Sequence, residues 1–96
     1  MSFKRFFLGE ILGTFILVFI GCGSVSLAIS YEIIHSLIEV ALFWTFGVIL
    51  GIYASLKLSG AHLNPAVSIA MLVDKQLTLK KFLFYTLAQF IGAVFA

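Results

Sequence analysis

Hydrophobic residues along this chain fall into three long runs separated by short polar segments. The runs cover about residues 6–30, 36–57 and 79–96. A membrane-spanning helix needs about 17–25 predominantly apolar residues, so each run predicts one span. The second run opens with Ser36-Leu-Ile-Glu39, which is typical of a capping box at a helix start. The basic start of the first run is also compatible with a signal peptide, but its apolar stretch exceeds the usual core of about 7–15 residues.

The segment at 58–73, LSGAHLNPAVSIAMLV, interrupts this pattern because it is uncharged but too short to cross a bilayer and return as two spans. If the first two spans are antiparallel, all the basic residues fall on one side of the membrane. The positive-inside rule places that side, and the N-terminus, in the cytoplasm. The flanking cations at 57 and 75 then require residues 58–73 to enter the membrane and return to the same side. The basic residues are Lys4, Arg5, Lys57, Lys75, Lys80 and Lys81.

Residues 64–73 predict a short helix within this segment. Ten helical residues extend about 15 Å, half of a hydrocarbon core of about 30 Å. Asn64 is a favoured N-cap and Pro65 is favoured at the first helical position. These features predict a re-entrant half-helix. An ordinary capped turn between two interfacial helices is the alternative.

The residues before the half-helix, 59–63, predict irregular backbone at membrane depth. Such backbone is tolerated only when it is buried in protein or lines a water-filled cavity. In the second case its carbonyl groups would form a row of hydrogen-bond acceptors. The positive N-terminus of the half-helix would point toward the membrane centre and disfavour cations. This arrangement suits an uncharged polar solute.

Composition excludes several classes of protein. The chain is 62% hydrophobic and 10% charged with a mean hydropathy of +1.20, so lipid must replace a globular core. The basic residues lie at the ends of apolar runs, so the net charge of +2 predicts no nucleic-acid partner. No acid–base pair, activated nucleophile or metal-ligand cluster is evident. We therefore expect no enzymatic activity, cofactor or metal.

Three motifs in order carry a family resemblance. The stretch SGAHLNPAVSIA at 59–70 resembles the first Asn-Pro-Ala loop of the major intrinsic proteins, the aquaporins and glycerol facilitators. GEILGT at 9–14 resembles that family's first-helix signature, and AQFIGA at 88–93 resembles its third-helix signature. The resemblance implies an all-α transmembrane, aquaporin-like bundle. Residues 1–96 would be one inverted repeat, with three transmembrane helices and the half-helix.

The resemblance also implies roles for individual residues. Asn64 would donate a hydrogen bond to the permeating molecule, with Pro65 and Ala66 as structural companions. Glu10 would be a buried carboxylate that supports the loop, although it could instead lie at the interface, and Gln89 would give similar support. The backbone carbonyls lining the pore would be those of Gly60, Ala61, His62 and Leu63.

Trp44 is the residue from which we infer the solute. It lies about 12 Å along the helix from Ser36, which is deep for an interfacial aromatic residue. Its spacing from Asn64 resembles the family's outer constriction, where glycerol-conducting members typically carry tryptophan and water-selective members phenylalanine. The sequence therefore favours a channel for glycerol and other small neutral solutes, with water as a further solute. A register error of one residue would assign the position to Phe43.

Only one of the family's two inverted repeats is present. We therefore expect the N-terminal half of a multi-pass plasma-membrane channel in contact with the lipid bilayer, either as a piece of a longer chain or as a truncated product. The resemblance implies a homotetramer if the chain is full length. A water-selective channel is one alternative. A non-conducting membrane subunit or regulatory fragment is another.

Overall fold

The computed structural model describes residues 2–32 and 35–96, and within these ranges all regular structure is helical. Helix α1 (Phe3–Ser30) and helix α2 (Leu37–Ser59) contain 28 and 23 residues. Both are long and apolar enough to cross a membrane. A nine-residue helix α3 (Pro65–Val73) and a 17-residue helix α4 (Leu79–Phe95) follow.

Local capping explains where these helices begin. The Ser36 hydroxyl accepts a hydrogen bond from the Glu39 N–H at 3.2 Å, and the Glu39 carboxylate accepts one from the His35 N–H at 2.8 Å. Ser36 is therefore confirmed as the N-cap of α2, whereas the Glu39 carboxylate binds the N–H of His35, one residue before the N–H that a capping box uses. Asn64 Oδ1 accepts from the Ala66 N–H at 2.8 Å, which confirms Asn64 as the N-cap of α3.

Two helices extend beyond the ends predicted for the apolar runs. Helix α1 starts at Phe3 because the Ser2 side chain caps it, so the basic pair after Phe3 lies in its first turn. Helix α2 continues past Lys57 to Ser59, where Gly60 adopts a left-handed conformation with φ 83° and caps the helix. A glycine is favoured there because it lacks a Cβ atom.

Helix α1 lies at the centre, packed against α2 and α4, while α3 packs against α4. Glycines set the close approach of α1 and α2: a Cβ atom on Gly51 would lie 2.9 Å from the Gly13 carbonyl oxygen. Gly9 and Gly47 are also buried. The two Gly-x-x-x-Gly pairs therefore serve packing within the chain.

The exposed and buried surfaces are reversed relative to a soluble domain. Large apolar side chains face outward, with Leu37 86% and Tyr53 83% exposed. The interior instead holds polar side chains, and Glu10 is fully buried. Lipid is the environment in which outward-facing apolar groups are stable, while buried polar groups require partners inside the protein. These inward-facing polar groups meet around the segment before α3.

Candidate solute-binding site at the half-helix

The segment that leads into α3 has an unusual backbone. Gly60, Ala61 and Leu63 all have positive φ angles, of 83°, 55° and 57°. For a residue with a Cβ atom this region costs about 1–2 kcal/mol. The conformation therefore needs support from the surrounding structure.

That support comes from the Glu10 carboxylate. Its Oε1 accepts hydrogen bonds from the Leu63 N–H at 2.8 Å and from Gln89 Nε2 at 2.8 Å. Its Oε2 accepts from the His62 N–H at 3.1 Å and from the Ser59 hydroxyl. Four donors satisfy an ionised carboxylate, and hydrogen bonds to charged groups are worth about 1.5–3 kcal/mol each. These bonds offset the strain of two left-handed residues.

The same bonds fix the direction of the carbonyl groups. In a trans peptide the N–H and the preceding C=O point in opposite directions. Because the N–H groups of His62 and Leu63 point at Glu10, the carbonyls of Ala61 and His62 point away from it. The Ala61 N–H donates to Ser59 Oγ at 3.2 Å, which turns the Gly60 carbonyl outward as well. Within residues 2–32 and 35–96, no hydrogen bond reaches a carbonyl of residues 60–63.

The His62 side chain is held on two sides. Its ring stacks on Tyr85 with the centroids 4.3 Å apart, and its Nδ1 lies 2.9 Å from Ser68 Oγ. Gln89 Nε2 donates to the same Ser68 oxygen at 3.1 Å, so Gln89 contacts both the carboxylate and the half-helix. The Tyr85 hydroxyl donates to the Ser59 carbonyl. This network holds the loop, α3 and α4 in one arrangement.

Three members of this network, namely Ser59, Ser68 and Tyr85, were not among the site residues predicted from the sequence. A weak signal was available for Tyr85, which lies four residues before Gln89 and therefore on the same face of α4. Isolated hydroxyls in apolar helices are common, so Ser59 and Ser68 carried no comparable signal.

Asn64 occupies the junction between two open cavities. One, of about 370 Å³, is lined by Asn64, Trp44 and the α4 side chains that face them. The other, of about 250 Å³, is lined by residues 61–64 and by the apolar Leu17, Val48, Ile52 and Val67. In the described part of the chain, the Asn64 N–H and Nδ2 make no hydrogen bond, so both can donate to a solute.

The structure places Trp44, and not Phe43, in the lining of the cavity of about 370 Å³ that contains Asn64. The Trp44 indole packs directly over Gly21, where a Cβ atom would overlap its ring. Phe43 is 43% exposed and lines cavities elsewhere. Pro65 also lines the Asn64 cavity, and Ala66 supplies the N–H that Asn64 caps.

Three buried polar atoms have no hydrogen-bond partner among the described residues. They are Thr14 Oγ1, Thr86 Oγ1 and Gln89 Oε1, and all three residues line the cavity that contains Asn64 and Trp44. Buried polar atoms are normally hydrogen-bonded, so the hydrogen bonds of this wall are incomplete among the described residues. The described residues contain no group of three side chains suited to bind a metal ion.

Apolar outer faces, a polar interior and the short helix α3, entered by irregular backbone, are features of an all-helical integral membrane protein. A family model for the major intrinsic proteins matches residues 1–96. The chain is 42% identical over 95 residues to a glycerol uptake facilitator protein of Haemophilus influenzae, covering 99% of this chain and 36% of that protein. It is 39% identical over 90 residues to an aquaglyceroporin of Plasmodium berghei, covering 94% and 35%.

The X-ray structure of the aquaglyceroporin from Plasmodium falciparum matches with a TM-score of 0.88 at 42% identity, covering 95% of this chain and 38% of that chain. The chain therefore belongs to the major intrinsic protein family. Both the family resemblance and the all-α, aquaporin-like fold predicted from the sequence are confirmed. The chain spans little more than a third of the length of these relatives.

Proposed function

We propose that this chain forms the first half of a passive channel for glycerol and other small neutral solutes. The observation that carries the proposal is the row of carbonyls at Gly60, Ala61 and His62, which point away from Glu10 and precede the unbonded donor groups of Asn64. The similarity to proteins described as a glycerol uptake facilitator and as aquaglyceroporins supports the same solute class.

The cavity has the two surfaces that a polyol requires. The hydroxyl groups of the polyol donate to the carbonyls of Ala61 and His62 and accept from Asn64, while its carbon backbone contacts the apolar side chains that line the same cavity. The solute thereby exchanges hydrogen bonds with water for hydrogen bonds with protein at little net cost. A cation would face the positive end of α3, which opposes its passage.

Trp44 is proposed to select the solute. The Trp44 indole packs over Gly21 and lines the same cavity as Asn64. A broad apolar surface therefore faces a solute that approaches the Asn64 side-chain amide through this cavity. Trp44→Phe in the intact protein should lower glycerol permeability relative to water permeability, because that surface shrinks. Both are measured by stopped-flow light scattering in proteoliposomes.

Phe43→Leu is the matched control, since Phe43 lies outside this cavity and should leave the ratio unchanged. An unchanged glycerol flux in Trp44→Phe would contradict the selector role. A wild-type protein that conducts water but excludes glycerol would favour the water-selective alternative.

The membrane arrangement is also a proposal. We propose a plasma-membrane location. We also propose a cytoplasmic N-terminus, because the basic residues collect at helix ends on one side. A homotetramer is proposed as well. It would use the exposed apolar faces, because the glycine pairs of α1 and α2 are buried within the chain. Native mass spectrometry of the purified protein reports the number of subunits.

The remaining alternative is a non-conducting subunit or regulatory fragment. The intact mass of the native polypeptide distinguishes it from half of a channel. A mass well above 10.6 kDa would mean that a longer chain supplies the rest of the pore. A mass near 10.6 kDa, with no flux and a co-purifying partner, would favour the alternative.

A further inference from the structure

A second feature lies away from the proposed pathway, where α1 and α4 begin side by side. The rings of Phe3 and Phe84 meet edge to face at 4.8 Å, and those of Phe6 and Tyr85 stack at 4.8 Å. Further along, a Cβ atom on Gly92 would lie 2.5 Å from the Ile11 carbonyl oxygen. Contacts in this order mean that the two helices run parallel, so their N-termini lie at the same end of the bundle.

A groove of about 470 Å³ opens between these two N-termini. Its apolar part is aromatic, and its polar part comes from the start of α4. No acidic residue lines it. The lining residues are Phe3, Phe6, Thr78, Lys80, Lys81 and Phe84.

Positive charge at this end is not compensated within the two helices. The first turns of α1 and α4 contain no acidic residue, yet each carries two adjacent cations, Lys4 with Arg5 and Lys80 with Lys81. A helix N-terminus already bears a positive partial charge, so cations there are electrostatically unfavourable. The two parallel N-termini and the two cations that line the groove, Lys80 and Lys81, together favour a bound anion.

We propose that this groove binds an anionic phospholipid, with the phosphate headgroup near Lys80 and Lys81 and an acyl chain against the phenylalanines. An aromatic surface next to cations matches an amphiphile better than a free anion, which would leave the apolar part unfilled. The positive-inside rule explains cations at a membrane surface in general, but it does not explain why two of them line a groove. Lys57 and Lys75, which the positive-inside rule places at the same interface, do not line it.

The test is lipid titration of the whole purified protein in detergent, followed by native mass spectrometry. The probes are phosphatidylglycerol and phosphatidylcholine with identical acyl chains. The double variant Lys80→Ala/Lys81→Ala should bind phosphatidylglycerol about 25-fold more weakly, since each interfacial lysine contributes about fivefold. The double variant Lys57→Ala/Lys75→Ala removes the same charge outside the groove and should bind like the wild type.

Phe84→Ala tests the acyl-chain contact without changing charge, and it should also weaken phosphatidylglycerol binding. Equal losses in both lysine double variants would overturn the proposal, since the effect would then be general surface charge. Equal wild-type affinity for phosphatidylcholine would overturn it too. Inorganic phosphate that displaces the lipid at matched ionic strength would instead indicate a simple anion site, and a groove covered by further protein would give no lipid adduct at all.

Discussion

Replacing Glu10 with glutamine tests the claim that one carboxylate sets the conformation of the solute-facing loop. The substitution keeps the size of the side chain but converts one acceptor oxygen into a donor NH2 group. In one orientation the new NH2 faces the Leu63 N–H, and in the other it faces the His62 N–H. The side-chain partners can adapt, because Gln89 can rotate its amide and Ser59 can rotate its hydroxyl. A backbone N–H cannot become an acceptor.

The expected loss of unfolding free energy can be estimated from this mismatch between the new NH2 group and a backbone N–H. One buried backbone N–H loses its acceptor, which costs about 1–3 kcal/mol. The two hydrogen bonds that remain now end on a neutral oxygen, and each is weaker by about 1 kcal/mol. Glu10→Gln should therefore lower the free energy of unfolding by about 3–5 kcal/mol. It should also reduce solute flux, because the carbonyls of Ala61 and His62 would no longer be held in one direction.

The free energy of unfolding can be measured by denaturant titration in mixed micelles, and the flux in proteoliposomes. Glu32→Gln is the matched control, since it makes the same chemical change at an exposed position and should alter stability by no more than about 0.5 kcal/mol. If Glu10→Gln unfolded and conducted like the control, the carboxylate would not be what orients the loop.

Two further predictions concern packing and the tyrosine anchor. Gly13→Ala should cost about 1–3 kcal/mol of unfolding free energy, because its Cβ atom would overlap the Leu63 side chain, whereas Gly23→Ala meets nothing within 4 Å and should be neutral or stabilising. Equal effects of the two would contradict the close packing of the loop on α1. Tyr85→Phe should cost about 0.5–1.5 kcal/mol through loss of its hydrogen bond to the last carbonyl of α2, and Tyr53→Phe, at an 83% exposed position, should cost nothing measurable. A Tyr85→Phe protein as stable as Tyr53→Phe would show that this hydrogen bond is not needed.

Most of the fold could be predicted from local signals in the sequence. Apolar run length indicated where long helices lie, and side chains with specific capping geometry indicated where α2 and α3 begin. Ser36 and Asn64 were identifiable because an N-cap side chain bonds to an N–H group two or three residues further along the chain. The residues involved are therefore close together in the sequence. The helix ends at 3 and 59 were missed by two or three residues, since caps and not hydropathy decide them.

The candidate site residues were recognisable because their composition differs from that of the rest of the chain. The stretch from Gly60 to Ala66 combines small residues, an asparagine and a proline in a chain that is otherwise strongly apolar. Such a departure has few explanations in a membrane protein, because unpaired backbone is not tolerated in lipid. The direction of the carbonyls, by contrast, could not be inferred, since it depends on which group binds the intervening N–H groups.

The sequence by itself determined that this is a membrane protein, that three long apolar segments flank a short capped helix, and that the polar chemistry collects near Asn64. Only the tertiary structure decided which distant groups meet. Glu10 bonds to residues 49 to 79 positions away, and Trp44 reaches the Asn64 cavity by packing over Gly21. These pairings depend on the rotation and crossing of whole helices. That geometry depends on close contacts at glycines that are far apart in the sequence, so it cannot be inferred from any local stretch.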